Sequence, residues 1–453
     1  MAAPIERANA GDLMQLALEG CPTRWHAGAV LTLGREVDPE ALCEALTVRV
    51  AAVPRLRQLL RRTPPGCGRP IWIDDPGFDV RRHVRVTRCP TPGDDQALYD
   101  LAADVLVQPL PRDRPPWAAT YVTGLGHGRS ALVVVFHHVL ADGLGGLAVL
   151  AGLVDGVPAR PPRPARPPPR PWRLAVDAAV SRLRTILGLR TSRRRLAAGK
   201  AELGASRKLR APPSSLNRPT GPRRRLRVLP VSLDAVRATA RAHGGTVNDV
   251  ALAAVTGALG EVLTRRGEAV DELVVSVIVT SRPAAHSDEL GNAVGVIPVA
   301  LPLTGGSAER LESIAATMHS RKQADRGASA AFVVPLFRAF AALRVLHWLL
   351  NRQRMINTIV TNVRGPEHVL TLLGAPITEI VPLTTSAGNQ TVGFAVLSYA
   401  GVLAVTVSAD PVTCPDLDIL ADQLRRQLAE LCSPTGETEM PGGLPVTPWH
   451  AGG

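Results

Sequence analysis

The segment of this chain best equipped for chemistry is Phe136-His137-His138-Val139-Leu140-Ala141-Asp142-Gly143, two adjacent histidines with an Asp-Gly pair close behind. An imidazole titrates near neutrality, so it can take a proton from a hydroxyl and return it to a leaving group. The apolar run 131–135 ahead of the pair reads as a buried strand, and Leu144-Gly145-Gly146 beyond it as the opening of a helix. Successive strand side chains point to opposite faces, so the two histidines divide: one faces chemistry and the other packs. Asp142 can fix the turn, by accepting backbone N–H bonds or by pairing with an arginine, while Gly143 supplies backbone freedom. Taken alone, such a pair before a turn is more often a satisfied core feature than a base. No third His, Cys or carboxylate stands at a metal-ligand spacing, so no metal is expected.

Three further places carry candidate residues. In Gly245-Thr246-Val247-Asn248-Asp249-Val250-Ala251-Leu252-Ala253, Asn248 and Asp249 open an apolar helix. Polar side chains there either cap the helix or stabilise developing negative charge. Trp117 begins the strand 118–124, where it either lines a substrate pocket or belongs to the core. Arg282 stands just past the strand 273–280 as the third candidate.

The elements that must position these residues fall into two blocks. Residues 1–155 read as alternating helices and strands, among them the strand His26–Leu33 and a helix opened by Pro39. Residues 214–440 resume the pattern, with Ser232 as an N-cap. Between them, residues 156–213 are rich in Pro and Arg and cannot build a core. Within this linker Trp172, Leu174, Val176, Val180, Leu183, Ile186 and Leu187 recur at helical spacing among arginines. Such a helix can lie on an anionic membrane, dock on the protein or stand in solvent.

The net charge of +13 is concentrated in the same region. From 155 to 225, 19 Arg and Lys face three acids, and the remaining 33 basic and 36 acidic residues leave the rest nearly neutral. No aromatic platform or nucleic-acid motif accompanies the basic run, so nucleic acid is not an expected partner. The six cysteines lack Cys-x-x-Cys spacing and residues 1–11 lack a signal-peptide pattern, which together suggest a reducing cytoplasm. The most lipid-like stretch, 330–350, is interrupted by Pro335, Arg338, Arg344 and His347, so any membrane contact is expected to be peripheral.

His-His-x-x-x-Asp-Gly resembles the signature of the acyl-CoA-dependent acyltransferase superfamily, which includes chloramphenicol acetyltransferase, peptide-synthetase condensation domains and the bacterial wax ester synthase/diacylglycerol acyltransferases. The whole chain is most similar to the last group. Leu216-Asn217-Arg218-Pro219-Thr220-Gly221-Pro222-Arg223-Arg224, the Asn248-Asp249-Val250 segment, Thr361-Asn362-Val363-Arg364-Gly365-Pro366 and Ala409-Asp410-Pro411 match its pattern in order. Departures are Pro116 before Trp117, Ala251 after the Asn248-Asp249-Val250 segment, Thr361 and Arg364 in the segment Thr361–Pro366, and Trp25 in an element, Trp25-His26-Ala27-Gly28, that matches only loosely. The resemblance implies an α/β fold of two chloramphenicol-acetyltransferase-like halves, each a mixed sheet flanked by helices, with the active site in the cleft between them. It further implies acyl-CoA and a lipid alcohol, either diacylglycerol or a long-chain alcohol, as substrates, with no other cofactor. His138 would be the base beside His137, Asn248 an oxyanion donor, and Asp142 the ion-pair partner of Arg282. Esterification of another complex lipid or polyketide alcohol, and a catalytically silent lipid-binding protein, are the alternatives.

Overall fold

The computed structural model describes residues 5–18, 24–140, 143–156, 165–187, 210–280, 294–322, 340, 345–386 and 388–433. Strand β1 (His26–Leu33) is paired along both edges. On one side lies β6 (Ser130–His137), buried at every position, as its apolar run requires of a strand with neighbours on both sides. The register sets His26 opposite His137 and Gly28 opposite Val135. A Cβ at Gly28 would stand 2.2 Å from the Val134 carbonyl oxygen, so the close approach of the two strands admits no side chain there.

On its other edge β1 pairs with β12 (Ala375–Thr384), which comes from the far end of the chain. The first sheet therefore runs β11 (Thr371–Leu372), β12, β1, β6, β5 (Trp117–Thr123), β4 (Val84–Arg88), with β4 and β5 parallel and the other pairs antiparallel. The second sheet runs β7 (Arg225–Ser232), β14 (Val402–Ala409), β13 (Val392–Tyr399), β10 (Thr358–Arg364), β8 (Glu272–Thr280), β9 (Val294–Pro302). Here β10 is parallel to both neighbours. A separate ribbon joins β2 (Gln58–Arg61) to β3 (Ile71–Asp74).

Two mixed six-stranded sheets thus match the expected fold class, but the partition into 1–155 and 214–440 follows chain order and the sheets do not. Residues 371–384 leave the second half to complete the first sheet. The exchange is sealed by side chains: Tyr99 donates to Glu379 at 3.0 Å, and Tyr399 donates to the Ile377 carbonyl at 2.9 Å.

Helices cover both sheets, and local chemistry starts them. Asp38 caps α2 (Pro39–Val50), Asp94 caps α3 (Asp95–Val107), and Ser232 caps α6 (Leu233–Ala242) as its sequence position suggested. An Asn9/Asp12 capping box opens α1 (Ala10–Ala17), and α4 (Gly143–Ala151) follows the histidine loop. The remaining long helices are α5 (Pro171–Leu187), α7 (Val247–Arg265), α8 (Ser307–Lys322) and α9 (Leu417–Cys432). Helix α7 is long and apolar enough to cross a membrane, yet most of it is buried in the core of the second half.

The two faces of β6 enter different cores. Ala131, Val133 and Val135 meet Leu98, Ala102 and Leu106 of α3. Leu132, Val134 and Phe136 join Trp117, Val149 and Leu150 of α4, and Tyr399 of β13. In the second half the guanidinium of Arg224 is fully buried 3.6 Å from Asp410 and donates to the Gly221 and Ser386 carbonyls. Asp410 also accepts the Val412 and Thr413 N–H groups, so two segments singled out by sequence meet in one structural knot.

Replacing Gly28 by Ala tests the register. The added methyl meets backbone, which cannot yield as a side chain would, so Gly28→Ala should cost roughly 3 kcal/mol or more in a denaturant melt, or abolish soluble expression. An unchanged midpoint would mean that β1 and β6 do not pair this closely.

Candidate active site

β6 ends at His137, and the ladder continues one residue further through the His138 N–H, which donates to the Trp25 carbonyl at 3.1 Å. The alternation of the strand therefore extends to His138. His137 shares the parity of Val135, on the α3 side, whereas His138 shares that of Phe136, on the side of α4 and the second sheet.

Their surroundings differ accordingly. His137 is buried, its ring 5.9 Å from that of His26, and its Nδ1 accepts the Val139 N–H at 3.0 Å. With the Nδ1 lone pair engaged, the neutral ring carries its proton on Nε2. Burial, reinforced by His26, His138 and Arg112, pushes its pKa down to about 3. His26 donates from Nδ1 to the Leu106 carbonyl at 2.8 Å, and burial holds its pKa down to about 4 despite that bond, with Arg24 adding to the effect. Both rings line a cavity of about 640 Å³. His138 is half-buried, with its ring 5.6 Å from that of Trp25.

Gly143 begins α4, and α4 packs against β10. Strand β10 carries Asn362, whose Nδ2 lies 3.5 Å from Asn248 Oδ1 in a long contact. The structure thus joins the Asn248 segment to the Thr361-Asn362 segment, a pairing that sequence spacing could not reveal. The two readings of Asn248 and Asp249 separate here. Asp249 is buried and caps α7, accepting the Thr246 N–H and hydroxyl, both at 2.8 Å. Asn248 is not needed for the cap, and its Nδ2 donors have no partner among the described residues.

Trp117 is placed otherwise than as a pocket wall. It is 1% exposed, donates from Nε1 to the Leu56 carbonyl at 2.8 Å, and stacks on His83 with ring centroids 4.3 Å apart. Near-complete burial, a stacked face and a bonded indole make it core, so the substrate-binding expectation for Trp117 is withdrawn. Asp142 and Arg282 both lie outside the described residues, as does most of the apolar stretch 330–350. Two residues with site roles were missed: His26, and Asn362 as the neighbour of Asn248. Both sit in segments whose resemblance was visible, but each acquires its role only through a partner distant in sequence.

The neutral state of His26 and His137 has a consequence for stability. In the unfolded chain both would titrate near 6.5, and in the fold only near 4 and 3, so stability is full above about pH 6.5 and falls as the pH drops toward 4. The loss is on the order of 3 kcal/mol for each ring once both states are protonated. A thermal melt followed from pH 7 to pH 4 should show a steep decline that flattens in His137→Gln. A parallel decline in the variant would remove His137 from the acid response.

The wax ester synthase/diacylglycerol acyltransferase catalytic domain family matches residues 9–251, and the WS/DGAT C-terminal domain family matches residues 290–432. A Mycobacterium tuberculosis protein named "Probable diacyglycerol O-acyltransferase tgs1" is 31% identical over 416 residues, covering 88% of this chain and 89% of that protein. The fold is similar to that of the wax ester synthase/diacylglycerol acyltransferase from Marinobacter aquaeolei VT8, with a TM-score of 0.65 at 24% identity over 94% of this chain and 98% of the other. It is also similar to the first condensation domain of the calcium-dependent antibiotic synthetase, with a TM-score of 0.65 at 20% identity over 97% and 98% of the two chains. With these matches spanning both halves and the histidine loop at the end of β6, the chain belongs to the wax ester synthase/diacylglycerol acyltransferase family and is an acyltransferase.

Proposed function

We propose that the chain moves a long-chain acyl group from acyl-CoA to the hydroxyl of a diacylglycerol, of a long-chain alcohol, or of both, with His138 as general base. The contrast between the two rings carries the choice of base. His137 spends its Nδ1 lone pair on Val139 and holds its proton on Nε2, which leaves no site to receive another. His138 stands half-buried on the face turned toward α4 and the second sheet.

The alcohol oxygen attacks the thioester carbon as its proton passes to His138. The C–S bond then breaks, and the imidazolium returns the proton to the departing CoA sulfur. The tetrahedral oxyanion needs donors, and the Nδ2 of Asn248, without a partner among the described residues and at the positive end of α7, supports that role. Acyl transfer is direct, without an acyl-enzyme. Gly143 lets the loop turn into α4.

CoA release from palmitoyl-CoA, measured with diacylglycerol or hexadecanol in detergent micelles, tests this reading. Acceptor-dependent kcat should fall about 10²- to 10⁴-fold in His138→Ala with the melting temperature preserved. Full turnover in folded His138→Ala would overturn the assignment of the base, and release with neither acceptor would overturn the substrates.

We propose further that α5 holds the protein against an anionic lipid surface. Its inner face is docked: Leu174 and Ala178 are buried, and Asp177 pairs with Arg7 at 2.6 Å. Its outer face carries Trp172, 62% exposed, with Val176, Val180 and Leu183, all exposed and spaced four, four and three residues apart along one stripe. At about 100° per residue, Arg173 and Arg184 flank one edge of the stripe and Arg182 the other. This is the arrangement that seats a helix among lipid headgroups. Co-sedimentation with vesicles containing phosphatidylglycerol should fall at least 5-fold in Trp172→Ser/Val176→Ser/Leu183→Ser, with no loss of thermal stability because those side chains are largely exposed. Undiminished binding by the variant would remove α5 as the contact.

A further inference from the structure

We propose that the cavity on the His137 side of β6 binds a lipid with a single anionic head and a long aliphatic chain. The cavity, about 640 Å³, is bounded by α1, β2, the segment 109–116 and the loop leading into β1. All of its described lining residues precede position 140, so the second half contributes none of them.

Its chemistry is divided in two. Arg24, Arg62, Arg112 and Arg114 supply the charge, and none of the described lining residues is acidic. Arg114 is committed, donating to the Arg82 carbonyl at 2.8 Å and pairing with Asp113. Arg24, Arg62 and Arg112 have no carboxylate partner among the described residues. All three are exposed, so they offer an anionic head a place at the solvent boundary of the cavity while its chain enters the interior. The rest of the wall is apolar: Leu16, Trp25, Leu59, Leu60 and Leu110, with prolines between them. A wholly polar anion would leave that surface unfilled, whereas an aliphatic chain would cover it. Burial keeps His26 and His137 uncharged, with Arg24 and Arg112 adding a little to that effect. Uncharged rings suit an aliphatic neighbour.

Two sources of this chemistry exist, a free fatty acid with its carboxylate and a lysophospholipid with its phosphate. Isothermal titration calorimetry of the purified full chain would use palmitate and lysophosphatidic acid below their micellar concentrations, with hexadecanol as the uncharged control. Saturable binding of at least one anion, weakened 10-fold or more in Arg62→Gln/Arg112→Gln, together with at least 10-fold weaker binding of hexadecanol, is the expected result. Preference for palmitate would identify the carboxylate source and preference for lysophosphatidic acid the phosphate source. Leu60→Trp, which fills the cavity without removing charge, should also block binding, while both variants keep the parent melting temperature. Absence of binding by either anion, equal binding of hexadecanol, or unchanged anion affinity in the folded variants would overturn the proposal. Since the readout is binding and not turnover, these outcomes are independent of whether His138 is the base.

Discussion

The pairing of β1 along both of its edges is the constraint on which the rest of the structure depends. One edge holds β6 and so sets His26 opposite His137; the other holds β12, which reaches back from the far end of the chain. A slip of one residue on the β6 side would exchange the faces of every side chain, sending Phe136 toward α3 and the histidines to each other's places. Gly28 blocks such freedom by letting the backbones approach more closely than any side chain would permit. The β12 edge has a different effect. It fuses the two halves, because the first sheet is incomplete without residues 371–384, and both cores beside β6 contain residues from beyond position 370.

From that pairing follows the unequal fate of two adjacent, chemically identical rings. His137 is drawn into a dry environment where its charged form is expelled and its one lone pair is spent on Val139. His138, one residue on, takes the other parity. A general base must offer a lone pair, keep a usable pKa and stand where substrate can arrive, and the structure denies the first two to His137. Having two histidines is therefore not redundancy. The buried ring bonds the backbone N–H of Val139, one residue beyond His138, and so braces the turn from which His138 projects.

Much of this was legible in the sequence because it rests on short-range physics. The strand before the histidines, the division of their faces, the N-caps at Ser232 and at α7, and the succession of motifs all follow from periodicity of two, from capping chemistry or from family resemblance. What was not legible required a partner far along the chain. Nothing in the composition of 371–384 distinguishes a strand of the second sheet from one that completes the first. Trp117 likewise reads as a pocket wall or as core until Leu56 and His83 are seen to occupy its nitrogen and its face. Asn248 and Asp249 could not be separated by spacing, since either could cap α7; the bond from Thr246 decides it.

The arginines make the same point about charge. Composition offers a large excess of Arg over Lys and no means of ranking one guanidinium above another. In the structure they fall into physically different situations. Arg224 is buried with Asp410, and burial lowers its pKa to about 10, yet three carbonyl oxygens and the Asp410 carboxylate are arranged to hold the cation. Its loss would leave Asp410 buried without its countercharge, so its role is structural. Arg7 and Arg166 tie α5 and the segment before it to the first half through Asp177 and Asp74. Arg24, Arg62 and Arg112 have no such acid, and neither do Arg173 and Arg184 beside the exposed stripe of α5 among the described residues. Folding leaves cations unneutralised at little cost only where water or an anion can reach them. Two such groups, each bordering an apolar surface, are therefore where an acyltransferase working on lipids would be expected to meet its amphiphiles.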